Sequence, residues 1–163
     1  MILDVLNPEQ QQVVTHAQGP LLVLAGAGSG KTKALTHRVA YLMSEKQISG
    51  EHILAVTFTN KAAQEMRGRV EKLLATQSGY VGQPLLGTFH SICARFLRAD
   101  IHYLGFKNSF VIYDTNDQLQ VIKGAIEKLK LDSKKFVPQA VLAQISQAKS
   151  ELLDPQAYAR KAN

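Results

Sequence analysis

A glycine-rich segment that ends in lysine and threonine carries the clearest chemistry in this sequence. Residues 25–32 read Ala-Gly-Ala-Gly-Ser-Gly-Lys-Thr and stand between an apolar run and an amphipathic stretch. In a phosphate-binding loop, successive backbone N–H groups and the start of a helix surround the phosphates of a nucleotide. Lys31 would reach the β- and γ-phosphates, and the Thr32 hydroxyl would bind Mg²⁺. The rest of the loop would come from Ala25, Gly26, Ala27, Gly28, Ser29 and Gly30.

One position of this segment departs from the strict phosphate-loop pattern, which begins with glycine. Ala25 stands there, and its methyl group is acceptable if the backbone need not adopt a positive φ at that residue. A glycine-rich turn without a ligand is the alternative interpretation. The Gly-Lys-Thr ending, with a strand predicted before it and a helix after it, favours the nucleotide site.

The elements that must position these residues alternate between strand and helix. Strands are predicted at 21–25, 53–58 and 85–88, with helices at 8–15, 32–43 and 91–103 and a further helix that Thr59 or Asn60 can cap and that has apolar positions as far as Leu74. This order predicts an α/β fold with a parallel sheet covered by helices. Ligands of such sheets lie at the carboxyl ends of the strands. Three segments would then share one edge of the sheet: the phosphate loop (residues 25–32), residues 57–60 and residues 88–90.

The last third of the chain changes character and predicts helices alone, at 114–130, 138–149 and 155–162. The change comes after about Asn108, so we predict a second, helical part of the chain from there. Asp114 ends an apolar run and could be the carboxylate that helps to hold Mg²⁺ in a P-loop ATPase. Because Asp117 follows three residues later, a helix N-cap is the favoured interpretation.

Composition limits the class of protein and its partners. The 163 residues carry a net charge of +6, which favours a polyanionic partner, nucleic acid first. Cys93 is the single cysteine, so no disulfide can form within one chain, which fits a reducing cytoplasm. No signal peptide is predicted, and no apolar run approaches the ~20 residues that a membrane span needs. We expect a cytoplasmic protein that does not enter a membrane.

Four motifs together resemble the opening motifs of the UvrD/Rep/PcrA-like superfamily 1 DNA helicases. They stand at residues 6–10, 25–32, 57–63 and 87–91, in the order and at the spacing of that family. The resemblance covers almost the whole chain. Alanine at the first position of the phosphate loop is normal in that family. It implies a RecA-like P-loop NTPase sheet with helices on both faces. Residues 1–109 would be the N-terminal part of subdomain 1A, and residues 110–163 part of the helical insertion, subdomain 1B.

The resemblance also implies roles for residues outside the phosphate loop. Gln10 is similar to the glutamine that recognises adenine, and Arg69 to an arginine that packs against the adenine ring. Two segments resemble those that contact single-stranded DNA: Phe58, Thr59 and Asn60, then Thr88, Phe89 and His90. An exposed aromatic ring would stack on bases of any sequence. Without the resemblance, a buried Phe58, a solvated Arg69 and a packed His90 would be the plainer interpretations.

The activity implied by the resemblance is ATP-driven 3′ to 5′ translocation on DNA, with unwinding, in repair or replication. ATP and Mg²⁺ would be required, and single-stranded and partly duplex DNA would be the partner. The motif with the metal-binding carboxylate and the second RecA-like lobe are not among these residues. We therefore expect the chain alone to bind nucleotide weakly at best and not to unwind DNA.

Two other classes of function remain as alternatives at this point. A small P-loop phosphotransferase would have a similar loop, but the sequence shows neither an arginine-rich lid nor an acceptor pocket. A nucleic-acid-binding module without enzymatic activity would keep the basic surface alone. Such a module would bind single-stranded DNA with strong salt dependence and without regard to ATP.

Overall fold

The structure is a computed structural model that describes residues 2–162 and divides into two compact units, Met1–Asn108 and Ser109–Asn163. The first unit contains α1 (Pro8–Thr15), α2 (Lys31–Ser44), β1 (Leu54–Thr57), α3 (Asn60–Leu74), β2 (Leu85–Thr88) and α4 (Phe89–Asp100). The second contains α5 (Thr115–Lys128), α6 (Pro138–Ser150) and α7 (Pro155–Ala162). Short 3₁₀ turns occupy Gly50–His52 and Ile101–Leu104. Within residues 2–162, no helix combines the length and apolar character needed to cross a membrane.

Strands β1 and β2 form a parallel pair, connected by α3. Leu54 is aligned with Leu85, and the register continues to Thr57 and Thr88. The helices that follow the two strands therefore begin at the same edge of the sheet. The coarse prediction of a mixed α/β fold with parallel strands is confirmed.

One apolar cluster holds α2, α3 and the two strands together. Apolar residues recur at helical spacing on α2 and α3, and one face of each strand is apolar, so all four elements bury a side against the others. The buried members are Ile2, Val39, Ala40, Met43, Ile53, Ala55, Met66, Val70, Leu74 and Leu86. This cluster fixes the start of α2, which carries the phosphate loop, relative to the carboxyl ends of the strands.

The predicted buried strand at residues 21–25 is wrong for this structure. These residues form no strand, and the side chains of Leu22 and Leu24 are 84% and 88% exposed. Leu21 and Val23 are less exposed and line a groove beside Val13 on α1. The physical reason is that a strand needs a hydrogen-bonded neighbour, and no described residue pairs with this segment.

The outer edge of β2 is closed by side chains. Leu85 N–H bonds to the carbonyl of Ile53, so the backbone groups of Leu86 and Thr88 face away from β1. The guanidinium of Arg67 donates to the Leu86 carbonyl at 2.8 Å. The hydroxyl of Ser91 accepts from the Thr88 N–H at 3.0 Å. Because these outward groups are already bonded, β2 cannot accept a further strand on that side without losing these contacts.

The second unit consists of helices, and α5 begins as the sequence predicts. Oδ1 of Asp114 accepts from the N–H of Asp117 at 2.9 Å, and Oδ2 of Asp117 accepts from the N–H of Asp114 at 3.0 Å. The interpretation of Asp114 as a helix cap is therefore confirmed. At the end of this unit, Nζ of Lys161 lies 2.6 Å from Glu151, and this hydrogen bond lowers the pKa of the Glu151 carboxyl.

Gly50 tests the packing against the loop before β2, and Gly68 on α3 is the matched control. Gly50 lies against the loop before β2, where a Cβ would come within 2.6–2.9 Å of backbone atoms of Gln83 and Pro84. A Cβ at Gly68, on α3, would meet nothing within 4 Å. We expect Gly50→Ala to lower the free energy of unfolding by about 1–3 kcal/mol, because backbone must move. We expect Gly68→Ala to raise it by up to about 1 kcal/mol.

Urea unfolding of the two variants and the unchanged chain measures this difference. Equal stability of Gly50→Ala and the unchanged chain would show that the loop before β2 does not pack as described.

Candidate nucleotide and nucleic-acid site

The phosphate loop turns into α2 through glycines that hold conformations other residues rarely adopt. Gly28 and Gly30 have φ of +76° and +83°. Gly30 is also the N-cap of α2, and no side chain caps that helix. The backbone N–H groups of Gly28, Gly30, Lys31 and Thr32 donate to no acceptor within residues 2–162. Such a set of donors at a helix N-terminus suits phosphate oxygens.

The lysine of the loop bonds to the loop itself. Nζ of Lys31 donates to the carbonyls of Ala25 and Gly26, at 3.0 and 2.7 Å. The hydroxyl of Ser29 donates to the same Gly26 carbonyl at 2.8 Å. Lys31 is exposed, so its ammonium can turn from these carbonyls to a phosphate without leaving a buried group unpaired.

The Thr32 hydroxyl is suited to bind Mg²⁺ as one ligand among several. It is exposed and makes no hydrogen bond within residues 2–162. Over the same residues no group of three or more histidine, cysteine or acidic side chains could hold a metal ion. Mg²⁺ in nucleotide sites keeps several waters and is bound by one or two protein groups and the phosphates. One threonine hydroxyl beside the loop fits that requirement.

Gln10 is brought against the phosphate loop, as a nucleotide-binding role requires. Its Nε2 donates to the carbonyl of Ser29 at 3.0 Å. Its Oε1 accepts from the N–H of Asn7 at 3.3 Å, while Oδ1 of Asn7 accepts from the N–H of Gln10 at 2.8 Å. Asn7 was predictable as the residue that opens α1, but the sequence analysis did not identify its capping box with Gln10, which asparagine followed three residues later by glutamine indicates. The contact of Gln10 with adenine stays a prediction.

Helix α1, which carries Gln10, is bonded to α2 by two basic side chains. The guanidinium of Arg38 donates to the carbonyl of Val13, at 2.7 Å, and to that of His16. Nζ of Lys33 donates to the carbonyl of Val5. These bonds use carbonyls that the end of α1 and the preceding turn leave without helical partners. They fix Gln10 at the start of α2.

The carboxyl ends of the two strands bring two phenylalanines together. Phe58 follows β1 and is 88% exposed, and Phe89 begins α4 and is half-exposed. Their ring centroids are 5.7 Å apart and the planes are tilted by 48°. Thr59, Asn60 and His90 are exposed beside them. The plainer interpretation of Phe58 as a buried residue is therefore wrong, and its stacking on DNA stays a prediction.

The hydroxyl of Thr88 has a structural role. The residue is buried, and Oγ1 accepts from the N–H of Ser91 at 3.2 Å as the N-cap of α4. A contact between this hydroxyl and a DNA phosphate would compete with the cap. Thr59 has the same capping role for α3, accepting from the N–H of Ala62 at 3.1 Å, but it is exposed. The predicted DNA contacts of both threonines stay predictions.

Arg69 lies on α3 and is half-exposed. Its guanidinium is 3.8 Å from the carboxylate of Glu65, an exposed pair of the kind that contributes little to stability. No hydrogen bond or ion pair joins it to the phosphate loop within residues 2–162. Its packing against adenine therefore stays a prediction.

These features are those of a mixed α/β protein with a glycine-rich loop, ending in Gly-Lys-Thr, at a helix N-terminus. The chain belongs to the UvrD/REP helicase family, because residues 6–163 match the family described as UvrD/REP helicase N-terminal domain. The family predicted from the four motifs is confirmed. This membership disfavours the small phosphotransferase and the non-enzymatic module.

Two relatives define the extent of the similarity. The chain is 51% identical over 161 residues to the ATP-dependent DNA helicase PcrA of Bacillus subtilis (strain 168). It is 47% identical over 154 residues to the protein of the same name from Staphylococcus aureus (strain Mu50). The alignments cover 99% and 94% of this chain but 21% of each relative. The chain thus spans about a fifth of the length of the curated relatives it matches.

The cap at Thr88 gives a stability prediction that separates its two possible uses. We expect Thr88→Ala to lower the free energy of unfolding by about 1–2 kcal/mol, because a buried N-cap hydroxyl is lost. Thr88→Ser keeps the hydroxyl and should lose less than half as much. Thermal and urea unfolding measure both variants, with the exposed cap variant Thr59→Ala for comparison. If Thr88→Ala were as stable as the unchanged chain, the hydroxyl would be free for another partner.

Proposed function

We propose that this chain is the ATP-binding part of an ATP-dependent DNA helicase. The observation that carries the proposal is the phosphate loop, where the N–H groups of Gly28, Gly30, Lys31 and Thr32 and the Thr32 hydroxyl have no partner within residues 2–162. The similarity to proteins named ATP-dependent DNA helicase supports the choice of ATP and of DNA. The complete protein would translocate 3′ to 5′ on single-stranded DNA and unwind partly duplex DNA in repair or replication.

In this proposal the triphosphate of ATP lies across the N-terminus of α2. The N–H groups of Gly28, Gly30 and Lys31 bind its oxygens, and Lys31 turns its ammonium from the loop carbonyls toward them. The Thr32 hydroxyl holds Mg²⁺, which neutralises charge on the phosphates when it is bound. Gln10, already at the loop, recognises adenine, and Arg69 packs against the ring from α3.

In this proposal the sheet contains more strands than β1 and β2. Residues 1–109 would be the N-terminal part of a RecA-like subdomain 1A with helices on both faces of its sheet, and residues 110–163 part of the helical subdomain 1B. Since Arg67 and Ser91 close the outer edge of β2, further strands would add beside β1. Residues 21–25 would then become a strand of the same sheet.

Single-stranded DNA would lie across the carboxyl ends of the two strands. Phe58 and Phe89 offer two adjacent exposed faces for bases, and stacking of this kind does not depend on sequence. Asn60 and His90 lie beside them and would bind phosphates together with backbone N–H groups. The net charge of +6 would add attraction that weakens as salt is raised.

Loss of the loop lysine tests the nucleotide half of the proposal. We expect Lys31→Ala in the complete protein to weaken ATP–Mg²⁺ binding about 10- to 100-fold, because one charge-assisted contact to the phosphates is removed. Titration calorimetry measures the affinity. The matched control is Lys72→Ala, which removes an exposed lysine from the end of α3. Equal affinity of Lys31→Ala and the unchanged protein would overturn the assignment of the loop.

Loss of the aromatic pair tests the DNA half. We expect Phe58→Ala and Phe89→Ala each to weaken binding of oligodeoxythymidine about 5- to 100-fold, the effect of losing one stacked base. The exposed side chain of Phe58 means that its loss should change the free energy of unfolding by less than about 0.5 kcal/mol. Tyr103→Ala, which removes an aromatic residue that is 81% exposed, is the control. Fluorescence anisotropy at two salt concentrations measures the affinity for the oligonucleotide. Unchanged affinity in both phenylalanine variants would contradict a DNA path across Phe58 and Phe89.

A further inference from the structure

The side-chain amide of Gln10 joins two parts of the nucleotide site. Its Oε1 accepts from the N–H of Asn7 and its Nε2 donates to the carbonyl of Ser29. The orientation of the amide follows from these partners, because exchanging oxygen and nitrogen would set acceptor against acceptor at Ser29 and donor against donor at Asn7. One end of the amide is thus bonded to the start of α1 and the other to the phosphate loop.

The bond to Ser29 has a direct effect on the loop. A trans peptide is planar, with its carbonyl and the following N–H pointing in opposite directions. When Gln10 holds the Ser29 carbonyl toward α1, the N–H of Gly30 must point away from α1. That N–H has no acceptor within residues 2–162 and belongs to the donors that face a phosphate in this type of loop. The amide of Gln10 therefore sets the direction of a phosphate-binding group.

The approach is close enough to restrict the residue at position 30. A Cβ placed on Gly30 would lie 2.5 Å from Nε2 of Gln10. The φ of +83° favours glycine at this position, and a Cβ there would also displace the Gln10 amide from its bond to Ser29.

We propose that Gln10 is a positioning residue for the phosphate loop, in addition to its proposed contact with adenine. A glutamine amide has two donor hydrogens and two acceptor lone pairs. The bonds to Asn7 and Ser29 use one of each, which leaves one donor and one acceptor for the edge of a purine base. The same amide can therefore bind the base and orient the loop at once. This inference rests on the proposed function to the extent that the loop binds a triphosphate.

The experiment separates loop positioning from base recognition by using a ligand without a base. The probe is inorganic tripolyphosphate with Mg²⁺, and the variants are made in the complete protein. Gln10→Met keeps the length of the side chain but removes both ends of the amide. Gln12→Met changes an exposed residue of the same helix and is the matched control. We expect Gln10→Met to bind tripolyphosphate about three- to tenfold more weakly, the effect of one net hydrogen bond, and Gln12→Met to be unchanged.

Amide hydrogen exchange without any ligand provides the second readout. We expect the amides of Ser29 and Ala34, which donate to the carbonyls of Gly26 and Gly30 at the two ends of the loop, to exchange about three- to tenfold faster in Gln10→Met than in Gln12→Met. Gln10→Glu separates the two ends of the amide, because it keeps the acceptor for Asn7 and removes the donor to Ser29. It should exchange as fast as Gln10→Met, although its capping box remains.

The outcomes distinguish this inference from the proposed function. If Gln10→Met loses preference for ATP over GTP but binds tripolyphosphate normally, with normal exchange, Gln10 recognises the base only and the inference is wrong. If Gln10→Glu exchanges like the unchanged protein, the cap and not the bond to Ser29 holds the loop, and the inference is again wrong. If neither ATP nor tripolyphosphate binds the unchanged protein, the proposed function fails, and faster exchange in Gln10→Met and Gln10→Glu still supports the loop contact.

Discussion

The burial of one apolar cluster between two helices and two strands is the constraint on which the first unit depends. Met43 from α2 and Met66 and Val70 from α3 are almost fully buried in it, against Ala55 and Leu86 from the strands. The start of α2 and the ends of β1 and β2 are consequently fixed on one body. The phosphate loop and the phenylalanine pair, which have no hydrogen bond or ring contact between them in the described residues, are positioned by this cluster.

Local signals in the sequence were sufficient for most of the elements. Helix α1, strand β2 and helix α7 have the bounds that capping residues, breakers and apolar spacing predict. The cap at Asp114 was also predictable, because all of its hydrogen bonds lie within four residues. The helix predicted at 91–103 begins two residues earlier and ends in a 3₁₀ turn, because Thr88 caps it from the end of the strand.

The errors and omissions concern interactions between residues far apart in the chain. The strand predicted at 21–25 has the right composition, but a strand exists only with a hydrogen-bonded neighbour, which local composition does not reveal. The hydrogen bond from Gln10 to Ser29 and that from Arg67 to Leu86 each join residues that are 19 positions apart. No periodicity or motif reports such contacts. The turn into α2 and its positive-φ glycines could be predicted because the pattern that indicates them is contained in eight consecutive positions, whereas phosphate binding there stays a prediction.

The closed outer edge of β2 has a consequence for how the chain folds during synthesis. Residues 54–91 contain the parallel pair and both side chains that bond its outer edge, so this part can be complete once the start of α4 has left the ribosome. At that stage Arg67 and Ser91 can bond the Leu86 carbonyl and the Thr88 N–H, two of the backbone groups through which β2 could join a neighbouring nascent chain. The backbone groups of Leu54 and Val56 on the outer edge of β1 have no partner within residues 2–162. A further strand could therefore pair with β1 without displacing a contact, whereas pairing with β2 would break the bonds to Arg67 and Ser91.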